Sequence, residues 1–342
     1  MMQIINFNLI IFFILINFLL VFFFNKIVNL IDIKNFSDHK IKIQKKPMPL
    51  LGGTLLLINV ILFFICKFIL NENLELNLNL SSNREYFSLI CGIISFYLFG
   101  LYDDKYKLSP NYKLLISFFL ITSIILIDNN LVIHELKFTF LSNPIQLKSF
   151  SYLFTVLCVM LFMNAFNMFD GINLQSGFYT LLIFSIFIFK GVAIDLSFVI
   201  IVSLIFFLYL NFINKTYLGE SGIQLLTIII SYVLIKSSSN ELNIFFSDEI
   251  FILLALPGLD MFRLFVSRII YGKHPFKPDY KHLHNLIGCY FNNFNTFLLI
   301  FLYIISSIIL YYISSNKLVY LIFYISVYLI MIFLLTIKIN KK

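Results

Sequence analysis

The chain has 342 residues, of which 60% are hydrophobic, 18% aromatic and only 12% charged, and its formal net charge is +8. With a mean hydropathy of +0.95, that balance excludes an ordinary soluble domain and points to a bilayer, where each spanning helix needs roughly 20 apolar residues to cross about 30 Å of hydrocarbon. Helices satisfy their own backbone hydrogen bonds in lipid, so the fold predicted is all-α and polytopic, with no soluble domain of any size and no nucleic-acid partner.

The first apolar run, 4–24, is too long for a signal-peptide core and has no basic region before it, so it reads as a retained span. Further spans are predicted near 50–70, 86–102, 112–128, 149–168, 176–190, 196–213, 222–236, 249–267, 295–313 and 317–337, about eleven in all, forming one transmembrane domain over 1–342. The stretch 131–148, "LVIHELKFTFLSNPIQLK", alternates apolar and polar residues and reads as a short external hairpin. Four cysteines, Cys66, Cys91, Cys158 and Cys289, are scattered without CxxC or metal spacing and read as packing residues. Lys and Arg are retained on the cytoplasmic side of a membrane, and most of the 25 fall there if the loop after the first span is inside. That orientation puts the amino terminus outside and the carboxyl terminus inside.

With sidedness set, "KKPMPLLGG", "YDDKYKLSP", "NAFNMFDGIN", "YLGESG" and "GKHPFKPDYKHLHN" all fall at cytoplasmic ends of spans. Acids in external loops, among them Glu72, Glu75, Glu241 and Asp248, stand in plain polar contexts. Asp103 and Asp104 end a span side by side, a repulsion that a divalent cation or a proton relieves, although Lys105 and Lys107 can equally neutralise a solvated helix end. Asn164, Asn167 and Asp170 recur at i, i+3 and i+6, one stripe of a helix that suits a polar ligand or metal, or else an interhelical clamp. Glu220 lies between Gly219 and Ser221-Gly222, where backbone can approach a phosphate or magnesium closely; a simple turn with an acid at a helix start is the alternative. Asp260 and Arg263, three apart within a span, read as an ion pair that lets both survive in lipid. His282 and His284 are beside Lys273, Lys277 and Lys281, a set better suited to phosphate oxygens than to zinc, because no metal-ligand spacing completes the pair.

In order and over nearly the whole chain, these five motifs resemble the polyprenyl-phosphate N-acetylhexosamine-1-phosphate transferases, in particular the undecaprenyl-phosphate N-acetylglucosaminyl-1-phosphate transferase-like branch. The resemblance implies an enzyme of the plasma (inner) membrane with its active site on the cytoplasmic face. Its substrates would be a UDP-amino sugar and polyprenyl phosphate, its product a polyprenyl diphosphate sugar with release of UMP, and its cofactor Mg2+, with Mn2+ as a substitute. A homodimer is the oligomeric state considered. By position, Asp103 and Asp104 match the family's aspartate pair and, with Asp170, are the catalytic candidates; Glu220 and Asp170 are the metal candidates. Lys45, Asn164, Asn167, Asn173, His282 and His284 are the substrate-binding candidates. Glu220 stands where the family usually has aspartate, Asn173 replaces the second aspartate of "DGxD", and Gln44 and Asn285 occupy places where histidine is common. The readings set against this one are an ion-coupled transporter, whose site would lie near the bilayer midplane, and a catalytically inactive family member.

Overall fold

A computed structural model describes residues 7–31, 34–35, 48–69, 83–239, 244–272 and 281–340. It is built of thirteen α-helices, and its β content is two short antiparallel pairs among the described residues. The helices are α1 (Phe7–Phe22), α2 (Phe24–Ile31), α3 (Gly52–Ile69), α4 (Asn83–Tyr106), α5 (Pro110–Ile127), α6 (Ser151–Phe169) and α7 (Gln175–Phe189). They continue with α8 (Ile194–Phe212), α9 (Gly219–Ser237), α10 (Ser247–Ile270), α11 (Leu283–Gly288), α12 (Asn293–Ile313) and α13 (Lys317–Asn340). Among the described residues nine helices are long and apolar enough to cross a membrane, and the pair α1 and α2, bent by 66°, makes a tenth if counted as one broken span. The all-α, multi-pass reading is therefore borne out.

Two of the predicted spans take a different form. The run 4–24 breaks at Phe23, after which α2 continues as a separate eight-residue helix with Phe24 buried and Leu30 exposed. The run 176–190 is helical, but α7 has only 15 residues, about 22 Å at 1.5 Å per residue and short of the hydrocarbon thickness. The predicted hairpin forms: Glu135–Leu136 pairs antiparallel with Ile145–Gln146.

The chain divides into two compact units, Met1–Leu131 with Gly177–Ser237, and Val132–Ser176 with Ser238–Lys342. In the first, α9 is the central helix, packed against α3 and α4 and buried along nearly its whole length. Polar residues of α1, α3 and α8 are matched to one another: Asn17, Asn59 and Ser203 form a buried hydrogen-bonded clamp, with Asn59 Nδ2 donating to Ser203 at 3.1 Å, and Lys67 pairs with Asp195 at 2.8 Å. In the second unit α10 packs on α6, α12 and α13. Asp248, at the start of α10, is fully buried rather than a plain loop acid, accepting from Thr139 N–H at 3.0 Å and from the Tyr311 hydroxyl at 2.5 Å. That contact ties the hairpin connection to the helices, because a buried carboxyl group needs hydrogen-bond partners in place of water.

Candidate functional site

In the first unit, Asp103 and Asp104 lie in the last turns of α4, which runs to Tyr106 and so past the predicted span end. Pro110 starts α5 at a position where its missing N–H costs nothing, and Lys113 follows in that helix's first turns. The amino terminus of α9 comes to the same place because Gly100 of α4 has no side chain: a Cβ there would overlap the backbone of Ser221. Close approach of the two helices thus sets Asp104 directly under the first turn of α9. Both its carboxylate oxygens accept backbone N–H groups, from Glu220 at 2.8 Å and Ser221 at 3.0 Å. Four N–H groups at a helix start have no partner within the helix, and a carboxylate among them also meets the positive end of the macrodipole. Asp104 is therefore the cap that holds Glu220 in place.

Asp103 faces elsewhere. One of its oxygens accepts the Leu108 N–H at 2.8 Å and the other lies 2.5 Å from Lys113 Nζ. Lys113 also reaches Glu220 at 3.1 Å, so a carboxylate, an ammonium and a second carboxylate form one chain. Asp103 is 2% exposed, whereas the Lys113 and Glu220 side chains keep 29% and 25% of their surface open. With Asp104 beneath the first turn of α9, the site holds three acids and one lysine, a net negative set of hard oxygen donors. No three His, Cys, Asp or Glu side chains among the described residues are preassembled as a metal site.

The second unit holds the remaining candidates. Asn164 and Asn167 lie on α6, while Asp170 caps its carboxyl end with φ −73° and ψ 62°, so the predicted helical stripe stops one residue short of the acid. Asn164 is partly occupied by its own helix, Nδ2 donating to the Met160 carbonyl at 2.8 Å. Asp170 is half-buried and accepts from the Ser176 hydroxyl at 2.5 Å. Asn173, in the turn that follows, is also half-buried. Gly171 is required next to Asp170 because a Cβ there would overlap the His284 imidazole. His284 is thus brought against the motif that carries Asp170, from more than a hundred residues away in sequence. His282 caps α11, and its ring stacks on that of His284 with centroids 5.6 Å apart and planes within 5°. His282 Nδ1 lies 2.9 Å from Asp260, which also pairs with Arg263 at 2.8 Å.

The structure therefore gathers Asp103, Asp104 and Glu220 in one unit, and Asp170, His282 and His284 with Asn164, Asn167 and Asn173 in the other. Lys45, Gln44, Lys273 and Lys277 lie outside the described residues. Sequence reasoning missed Lys113, which it counted only as one more cytoplasmic charge. Its signal was its place in the first turns after Pro110, nine residues past Asp104.

The model of the family described as "Glycosyl transferase family 4" matches residues 86–238. The chain is 25% identical over 314 residues to a Bacillus subtilis (strain 168) protein described as a probable undecaprenyl-phosphate N-acetylglucosaminyl 1-phosphate transferase, covering 88% of this chain and 84% of that one. It is 26% identical over 200 residues to the undecaprenyl-phosphate alpha-N-acetylglucosaminyl 1-phosphate transferase of Escherichia coli (strain K12), 55% of this chain and 54% of that one. It is also 26% identical over 212 residues to the protein of the same description from Salmonella typhi, 58% and 57%. The chain thus spans little more than half the length of these two enterobacterial relatives. The resemblance drawn from the motifs is borne out: residues 86–238, the stretch that holds Asp103, Asp104, Lys113, Asp170 and Glu220, match the model of glycosyl transferase family 4.

Proposed function

We propose that this protein is a phosphoglycosyltransferase that moves an N-acetylhexosamine 1-phosphate, N-acetylglucosamine 1-phosphate or a related sugar, from a UDP-sugar to polyprenyl phosphate in the plasma membrane. An oxygen of the lipid phosphate attacks the phosphorus that bears the sugar; the bond from that phosphorus to the oxygen bridging the two phosphates breaks, and UMP leaves with the bridging oxygen. The whole chain serves as one transferase domain, with its chemistry on the cytoplasmic face and its amino terminus outside. The observation that carries the reading is the open chain Asp103, Lys113 and Glu220, built on the part of the sequence that matches the family.

Transfer between two anions needs charge neutralisation and in-line positioning more than covalent catalysis. Lys113 supplies an ammonium that a phosphate oxygen can share while Asp103 and Glu220 hold it in place. Asp103, one oxygen of which is shared with the half-open Lys113 rather than with backbone, is the carboxylate assigned to take the proton of the lipid phosphate, while Asp104 has both oxygens on the α9 backbone and acts through Glu220. Glu220 is a carboxylate that would hold a magnesium ion, as is Asp170 by its place in its motif; such an ion when bound supplies positive charge at the diphosphate. His282 and His284 offer imidazole donors to phosphate oxygens, and Asn164, Asn167 and Asn173 offer amides to the nucleotide or sugar. Lys45 adds a further phosphate contact by its place in the motif.

Mass spectrometry of the lipid formed from polyprenyl phosphate and a mixture of UDP-sugars tests this. A polyprenyl diphosphate amino sugar is expected. Absence of any lipid product, together with solute uptake into vesicles carrying the protein, would favour a transporter.

A further inference from the structure

His282 is held more firmly than a phosphate-binding histidine on a surface loop needs to be. Asp260, 6% exposed on α10, places Oδ2 at 2.9 Å from His282 Nδ1. Its Oδ1 accepts from Arg263 Nη2 at 2.8 Å, from the Tyr328 hydroxyl at 2.9 Å and from the Leu283 N–H at 3.2 Å. Arg263 Nη2 also donates to the Lys281 carbonyl at 2.6 Å, and its Nε donates to the Tyr328 hydroxyl at 3.1 Å. The backbone is therefore gripped on both sides of His282, at the carbonyl before it and the N–H after it. A carboxylate paired with a guanidinium only accepts hydrogen bonds, so the atom facing it, Nδ1, must donate.

We infer that Asp260 is the positioning residue of the histidine loop, fixing His282 in the tautomer with hydrogen on Nδ1 so that Nε2 is the atom offered to substrate. The sequence accounts for Asp260 and Arg263 as a pair that neutralises itself in lipid; the structure gives that pair an object. A second partner that fixes tautomer and ring plane is what turns an imidazole from a flexible contact into an aimed one, and loss of such a partner commonly costs about 10- to 100-fold in function. Stacking of His284 on His282 carries the constraint to the ring that abuts Gly171. The catalytic consequence rests on the transferase reading, whereas the tautomer does not.

The test is nitrogen-15 NMR of the purified full-length protein labelled at histidine, with the His282 signals assigned by their loss in His282→Gln. At a pH where imidazole is neutral, the wild type should show His282 with hydrogen on Nδ1, and Asp260→Asn should invert it to Nε2. Asp260→Asn should also lower kcat for UMP release by about 10- to 100-fold with KM for the UDP-sugar little changed. Asp260→Glu should restore part of it. Tyr328→Phe, which leaves the Asp260 to His282 bond in place, should keep the tautomer and nearly all the activity. Hydrogen on Nε2 in the wild type would overturn the inference even if Asp260→Asn failed to fold, and so would a loss in Tyr328→Phe equal to that in Asp260→Asn. If the wild type releases no UMP, the transferase reading fails while the tautomer still decides the positioning.

Discussion

Helices α4, α5 and α9 of the first unit carry a lysine between two carboxylates at each of their ends. At one end Lys236 lies 3.3 Å from Glu85 and 2.9 Å from Asp128, with side chains 5%, 3% and 2% exposed. Around them the Tyr232 hydroxyl donates to Asp128 at 2.9 Å, and the Asn130 amide donates to Glu85 at 3.0 Å. At the other end Lys113 lies 2.5 Å from Asp103 and 3.1 Å from Glu220, but there the lysine and the glutamate reach solvent. Apart from Asp104, which caps α9 at the open end, residue types and charges are the same at both ends. The closed cluster spends its hydrogen bonds inside the protein and locks three helix ends together; the open one leaves an ammonium and a carboxylate within reach of an incoming phosphate. A like set of charges is a site only where something can still bind to it.

Lys236→Met attacks the closed end and should have the largest effect. It leaves two buried carboxylates without their cation, which costs about 3–5 kcal/mol of stability. A large drop in Tm, with turnover per folded molecule unchanged, is the outcome that keeps the two ends distinct; an unshifted Tm would erase the distinction. Asp103→Asn attacks the open end. UMP release should fall at least about a hundredfold, about 2.7 kcal/mol of transition-state stabilisation, with Tm nearly constant. Asp170→Asn in the second unit should match it, and a full rate in either variant would remove that residue from the site.

Asp104→Asn sharpens the comparison because it touches both properties. It exchanges a charged cap of α9 for a neutral one, costing about 1 kcal/mol of stability, and it loosens Glu220, so turnover should fall by about tenfold while Tm falls with it. Loss of activity without any change in Tm would make Asp104 a direct participant instead of a cap. Glu220→Asp is the smallest change. It retains the charge one methylene shorter, and should shift the magnesium titration of activity while leaving Tm alone; an unchanged titration would take Glu220 off the metal.

Much of the fold was legible because lipid imposes one rule, a run of apolar residues long enough to cross, and α3 and α5 fall within two residues of their predicted ends. The break at Phe23 was not legible, since the run Leu9–Phe24 is interrupted only by Asn17 and carries no Pro or Gly to mark it. Candidate site residues could be picked out where they sat in compact motifs, as with the aspartate pair and "NAFNMFDG". What no motif could carry was partnership across long separations. The bonds from Asp104 to the α9 backbone, from Asp260 to His282 and Tyr328, and from Lys236 to Glu85 and Asp128 each join residues far apart in the chain. Asp248 misled for the same reason: its hydrogen-bond partners Thr139 and Tyr311 are nowhere near it in sequence.

The central claim is that the open carboxylate and lysine chain performs sugar-phosphate transfer. Its most direct test is UMP release by the purified protein supplied with polyprenyl phosphate, UDP-N-acetylglucosamine and magnesium, wild type beside Asp103→Asn. Release by the wild type and its near-complete loss in the variant is the predicted result. No release with any UDP-amino sugar, or equal release from both proteins, would contradict it.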